Sequence, residues 1–239
     1  MTSKNLLYAF VLLIAASMST SCEKAQEDQI STELDAVTAG IISELAGAAT
    51  QDIAKMGSVS AQSQLLSTGV CGATQDTTIA NSFTQGNASK SGSLTLAWTL
   101  NCNQVKVPTS LSVKATGTGS LDSKILSSSS NSTGNFSISG LAKSATVYSI
   151  DGTLQQIAQP VSKIRNETHF YSQIDAKVSK VTVSKDSSHQ ITSGTVAFTV
   201  QTGQLREQAQ LLVEGSIVFK GNKQATATIN GKTYEIDLN

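Results

Sequence analysis

The sequence predicts a mainly β protein: one large, curled antiparallel meander sheet packed on a single N-terminal α-helix. Two observations lead to this prediction. From residue 76 to the C-terminus, apolar residues alternate with Ser and Thr, and this period of two is typical of half-buried strands. Over residues 30–57, apolar residues instead recur at helical spacing. A β-sandwich is the alternative, because strands with one apolar and one hydroxyl-rich face suit both architectures.

The helix is predicted over residues 30–57 and would precede a β domain that fills residues 58–239. Thr32 and Asp35 fit a capping box, and Gly57 is a suitable stop. The apolar stripe of this helix consists of Ile30, Leu34, Val37, Ile41 and Leu45. We expect the stripe to cover the apolar side of the sheet, so that helix and strands form one domain.

Residues 93–100 show the strand pattern, because Leu94, Leu96, Trp98 and Leu100 share one face. In residues 173–183 the apolar parity changes by one position, which predicts a β-bulge near Ser179–Lys180. The serine-rich stretch 126–135 interrupts the pattern, and we expect it to be an exposed loop between strands.

A terminal hairpin is predicted at Asn230–Gly231, because this dipeptide suits a two-residue type I′ turn. The turn sets the register of the two strands. It places Ile229 opposite Lys232, Ala227 opposite Tyr234 and Ala225 opposite Ile236. Small alanines that face large partners would make a well-packed face, so the hairpin is expected to close the core.

Composition argues against two classes of protein. The formal net charge is zero, and aromatic residues make up 5% of the chain. A nucleic-acid-binding protein usually carries a clustered basic surface, so we expect no nucleic-acid partner. With two prolines and no net charge, the chain also lacks the usual composition of a disordered protein.

The first 21 residues are predicted to be a signal peptide. Lys4 provides a basic start, and the apolar run Leu6–Ala16 follows it. A stable membrane-spanning helix needs about twenty apolar residues, so this run is too short to be one. Small residues lead from the run to Cys22.

This N-terminal arrangement resembles a bacterial lipoprotein signal, in which the cysteine becomes the first mature residue and carries lipid. The resemblance implies lipidation of Cys22, although Ser19 stands where the family usually has Leu. Ordinary signal-peptidase cleavage at the same place is the competing interpretation. Residues 22–29 would then form a tether. Glu23 after the cysteine favours the outer membrane, on either its periplasmic or its cell-surface side.

Once Cys22 is assigned to the anchor, Cys71 and Cys102 remain as a pair. Two cysteines in an exported domain are expected to form a disulfide. A metal site is not expected, because His169 and His189 are isolated and no ligand spacing is present.

Motifs for catalysis are not found in the sequence: it has no nucleophile elbow, no phosphate loop and no zinc-protease helix. We therefore expect neither an enzyme nor a cofactor. The triplet Asp76–Thr78 resembles a short O-glycosylation motif of Bacteroidetes exported proteins, with Thr77 as the acceptor. The simpler interpretation of the triplet is the start of a strand.

The lipoprotein start and the terminal segment with "INGKTYEIDL" together resemble β-rich lipoproteins of Bacteroidetes. That resemblance implies no activity. We expect a non-enzymatic cell-envelope lipoprotein with an interaction or structural role, anchored to the membrane through lipid, with a glycan or envelope protein as partner. The alternative is a carrier of a lipid or other apolar ligand in a curled β-sheet cavity.

Overall fold

The computed structural model describes residues 70–85, 88–164, 169–186, 190–204 and 210–238. The predicted signal peptide, tether and helix lie outside the described residues. Ten strands follow one another along the described chain: β1 (Thr74–Gln85), β2 (Ala88–Cys102), β3 (Pro108–Asp122), β4 (Leu126–Ser139), β5 (Val147–Ser162), β6 (Phe170–Ser184), β7 (Ile191–Gln204), β8 (Gln210–Gly221), β9 (Gln224–Ile229) and β10 (Lys232–Asp237).

The ten strands form one antiparallel sheet in sequential order, so the predicted meander is confirmed. Each strand pairs with the next one along the chain, and β1 and β10 are the two ends of the sheet. All the described strands therefore belong to a single sheet, rather than to the two sheets of a sandwich.

One face of the sheet carries the hydrophobic core. In one row of this core, Leu100 lies opposite Leu111, which lies opposite Ile138, which lies opposite Ile150. All four side chains are buried, and Ile150 is 0% exposed. The core continues across the sheet to Ile236 of β10. The alternation seen in the sequence therefore becomes an apolar face and a polar face.

The predicted β-bulge is confirmed in β6. The register with β7 shifts between Ser179 and Thr182, and Lys180 has a φ of 48°. The backbone N–H of Lys180 donates to the Asp151 carboxylate at 2.9 Å. The bulge lets Val178 and Val181 both be buried, although their positions in the chain differ in parity.

The terminal hairpin forms with the predicted register. Ile229 lies opposite Lys232, Ala227 opposite Tyr234 and Ala225 opposite Ile236. Both alanines are 0% exposed, which confirms that this hairpin completes the core.

The prediction of a loop over residues 126–135 is wrong, because this stretch forms most of β4. It pairs with β3 on one side and with β5 on the other. Ser128 and Ser130 are buried on the apolar side, whereas Ser129 and Asn131 are exposed. Serine is not among the residue types enriched in strands, so the pairing of this stretch with two neighbouring strands decides its structure.

Candidate functional site

The predicted disulfide joins Cys71 to Cys102, with a Cα–Cα distance of 5.7 Å. It connects the turn before β1 to the end of β2. The Gly72 N–H beside it donates to the Leu100 carbonyl at 2.8 Å. The bond therefore holds β1 onto the sheet. Cys22, the predicted lipidation site, lies outside the described residues.

Thr77 lies opposite Leu96 within β1, which begins at Thr74, so the triplet belongs to a strand but does not start it. Its side chain is half-buried, whereas Asp76 and Thr78 on either side of it are exposed. O-glycosylation of Thr77 stays a prediction.

The histidines do not form a site in the described part of the chain. His169 is exposed and makes an isolated bridge with Val161, and His189 lies outside the described residues. Within the described ranges, no group of three or more His, Cys, Asp or Glu side chains is placed to hold a metal ion. The same residues include no helix long and apolar enough to span a membrane.

A depression of about 650 Å³ crosses the polar face of β4 to β8, and we call it the polar groove. Side chains from five neighbouring strands line it, and most of them carry hydroxyl, amide or charged groups. Its polar lining consists of Thr133, Asn135, Thr153, Gln155, Asp175, Lys177, Thr199 and Glu214. The groove is therefore built from positions far apart in the chain that the meander brings together.

Strand register arranges this lining in two parallel rows. The first row runs Thr133, Gln155, Asp175, Thr199 and Glu214, each directly opposite the next. The second row lies two residues away along each strand and contains Asn135, Thr153 and Lys177. Neighbouring strands are about 4.8 Å apart, so five strands make the first row roughly 19 Å long.

Asp175 is the centre of a hydrogen-bond network in the groove. Gln155 donates from Nε2 to one carboxylate oxygen at 2.7 Å. Gln173 donates from Nε2 to the other oxygen at 2.5 Å, and its own Oε1 accepts from the Tyr171 hydroxyl. These contacts hold the carboxylate and two amides in a fixed arrangement before any ligand arrives.

Glu214, at the end of the first row, is positioned by the terminal hairpin. The Glu214 backbone N–H donates to Asn230 Oδ1 at 3.2 Å, and the Asn230 N–H donates to the Glu214 carbonyl at 3.0 Å. The turn residue thus clamps the backbone that carries this carboxylate. The groove contains two acids, Asp175 and Glu214, and one base, Lys177.

Two phenylalanine–glycine pairs lie on the apolar face of the strands that carry the groove. Phe136 is directly opposite Gly152, and Phe198 is directly opposite Gly215. A Cβ atom at either glycine would come within 2.5 Å of the facing ring. Glycine within a strand often marks a bend or a close approach, and here it admits the ring. The phenylalanines are buried because the glycines leave this space.

A second depression, of about 540 Å³, lies on the polar face of β1 to β3. Small side chains line it, and its hydroxyls bond to one another. Ser91 pairs with Ser120 at 2.7 Å, and Ser93 pairs with Thr118 at 2.9 Å. This hydroxyl-lined depression has neither the amides nor the charged groups of the polar groove.

The sequence predicted a polar sheet face but not the groove within it. Its residues are 81 positions apart at the extremes, from Thr133 to Glu214, and each is an ordinary strand residue by itself. The available signal was the concentration of amides and acids at polar-face positions of β5, β6 and β8. Comparison with protein-family models, curated proteins and solved structures found no match.

Proposed function

We propose that this protein is a non-enzymatic cell-envelope lipoprotein that binds a glycan in the polar groove. The envelope location rests on the N-terminal resemblance to lipoprotein signals. The binding role rests on one observation: a row of hydroxyl, amide and charged side chains crosses five strands of one exposed face, and a second row beside it crosses three of them.

The chemistry of the groove suits a hydroxyl-rich ligand. A carboxylate accepts hydrogen bonds from two neighbouring hydroxyls, and an amide both donates and accepts. Asp175 and Gln155 already lie within hydrogen-bond distance, at 2.7 Å, so they present these groups together. Because these side chains are already held in place, binding of a ligand costs less of their conformational entropy.

The length and the charge of the polar groove restrict the class of ligand further. A row of roughly 19 Å suits an oligosaccharide better than a single sugar. The groove carries one more acid than base, so a highly anionic polymer would be repelled. We therefore propose a neutral glycan as the ligand class.

The binding test uses the soluble Cys22→Ser protein on a glycan array, with titration calorimetry of any positive glycan. We expect Asp175→Ala to weaken binding by about tenfold or more, because a charge-assisted hydrogen bond is lost. Thr118→Ala in the hydroxyl-lined depression is the matched control and should leave the affinity unchanged. Equal losses in the two variants, or an array without any bound glycan, would reject the proposal.

The proposed lipid anchor at Cys22 is tested separately. The Cys22→Ser variant should lose palmitate labelling and membrane association while it keeps the Cys71–Cys102 disulfide. A variant that still fractionates with the membrane would show that the lipoprotein interpretation is wrong.

The carrier of an apolar ligand ranks second. The lining of the polar groove is mainly polar, with Leu154 and Phe198 as its large apolar members, and the hydroxyl-lined depression has none. The other side chains of the apolar face pack against one another in the core. A carrier pocket is usually lined by apolar side chains. Mass spectrometry of the purified protein separates the two proposals, because a carrier would release a lipid.

A further inference from the structure

Strand β1 is the most exposed part of the described sheet. Its described side chains are all exposed except Thr77, and Ile79 is 46% exposed. The hydrophobic core begins in β2, at Leu94 and Leu96. Among the described strands β1 pairs with β2 alone, so one side of its backbone has no strand beside it there.

The opposite edge of the sheet is built differently. β10 has six residues, including Lys232, Glu235 and Asp237. Short, charged edge strands are a common protection against pairing with another chain. β1 has twelve residues, no proline and a single charged residue, Asp76. It lacks that protection, and a long edge strand of this kind is a template for strand addition.

We infer that β1 pairs antiparallel with β1 of a second copy of this chain, around a two-fold axis at Ile79. The two sheets would then continue into one another. This interface is independent of glycan binding, because the polar groove lies on β4 to β8.

The sequence of β1 is complementary to itself in this register. A two-fold axis perpendicular to the sheet keeps each residue on its own face, so facing positions must have the same parity. An axis at Ile79 places Ile79 against its own copy, Asp76 against Ser82, and Thr74 against Thr84. The exposed isoleucines cover each other, and the one charged residue faces a hydroxyl rather than a like charge.

The neighbouring registers are less favourable. An axis at Thr78 would place Ile79 against Thr77, and an axis at Ala80 would place it against Asn81. Each leaves an exposed isoleucine beside a polar side chain. Apolar cross-strand pairs stabilise a sheet more than mixed pairs do, which favours the axis at Ile79 over these two registers.

The test uses the Cys22→Ser protein, in which Cys71 and Cys102 are bonded and no other cysteine is present. Ile79→Cys in this background should form a disulfide-linked dimer under mild oxidation. Thr233→Cys, at an exposed position on the opposite edge strand, is the matched control and should remain monomeric. A dimer that forms equally in the two variants, or in neither, would overturn the inference.

Sedimentation equilibrium tests the same interface without a new thiol. The Cys22→Ser protein should dimerise as its concentration rises. Ile79→Lys should raise the dimer dissociation constant by about tenfold or more, because two lysines would face each other. A protein that stays monomeric at every concentration, or a dimer that Ile79→Lys does not weaken, would contradict the proposal.

Discussion

Both ends of the sheet consist of paired antiparallel strands, but the two ends are stabilised in different ways. In the terminal hairpin, Ala225, Ala227 and Ile229 are 0%, 0% and 3% exposed, and β9 is part of the core. In β1, Ile79 is 46% exposed. Strand pairing alone therefore does not decide how much a strand contributes to stability. The volume and burial of its side chains decide this, because burial of apolar surface is the dominant favourable term.

The disulfide compensates for the missing core contacts of β1. It lies directly before β1 and closes a loop with a sequence separation of 31 residues. The hairpin has no covalent link of this kind among the described residues and depends on packing. We therefore expect loss of the disulfide to destabilise mainly the N-terminal end of the sheet. Loss of side-chain volume should destabilise mainly the C-terminal end.

The largest effect is expected from Cys71→Ser combined with Cys102→Ser. On the chain-entropy model, removal of this loop lowers the free energy of unfolding by about 3–4 kcal/mol. Urea unfolding measures the loss. Hydrogen exchange should show a larger loss of protection in β1 than in β9, because loss of the disulfide also lets β1 open locally. Uniform loss of protection across the sheet would remove the distinction between its two ends.

Ile236→Ala in β10 should lower the free energy of unfolding by about 2–3 kcal/mol, because it leaves a cavity against the core. Ile236 is 9% exposed. The control is Ile79→Ala in β1, measured at a concentration at which the protein is monomeric, where we expect a change within about 0.5 kcal/mol at a surface position. Urea denaturation of both variants under the same conditions measures the two losses. Similar losses in the free energy of unfolding would contradict the expected difference.

Two glycines allow a comparison of the ends with the same backbone geometry. Gly231 and Gly72 have φ values of 82° and 81°, and a Cβ at either position would meet nothing within 4 Å. Gly231→Ala should cost about 1 kcal/mol, because a side chain in the left-handed region is strained. Gly72→Ala should lower the global melting temperature less, since β1 lies outside the core. If calorimetry shows a larger drop in melting temperature for Gly72→Ala than for Gly231→Ala, the proposed difference between the two ends is wrong.

The smallest effect concerns pH at the hairpin. Hydrogen bonds from Lys220, at 3.0 Å, and from Thr226, at 3.1 Å, lower the pKa of Glu235. A lowered pKa contributes stability above the ordinary value of about 4.3, and this stability is lost as pH falls through the lowered value.

The melting temperature of wild type should therefore fall slightly more than that of Glu235→Gln when the pH drops below about 4. Lys220→Met should reduce the same difference, because it removes the main hydrogen-bond donor. Parallel pH profiles for wild type and Glu235→Gln would show that the ion pair has no effect on stability.

Local patterns were sufficient to predict much of the fold. The register of the terminal hairpin could be predicted because Asn230–Gly231 favours a two-residue turn that sets it. The bulge near Ser179–Lys180 was readable because two buried valines differ in parity. Both features depend on residues close together in the chain.

Residues 126–135 form a strand that local patterns do not predict. Their serines carry no local strand preference, and β4 exists because β3 and β5 pair with it on both sides. The polar groove has the same origin. A carboxylate on β6 and an amide on β5 meet only after the strands have aligned.

Alternation along the chain thus determined which residues of this protein face the core and which face solvent, since side chains in a strand point to opposite faces in turn. Which polar side chains lie next to one another was decided by tertiary structure alone. Lateral neighbours in a sheet depend on the register of strands that are distant in sequence, and that register is set by the packing of the whole core.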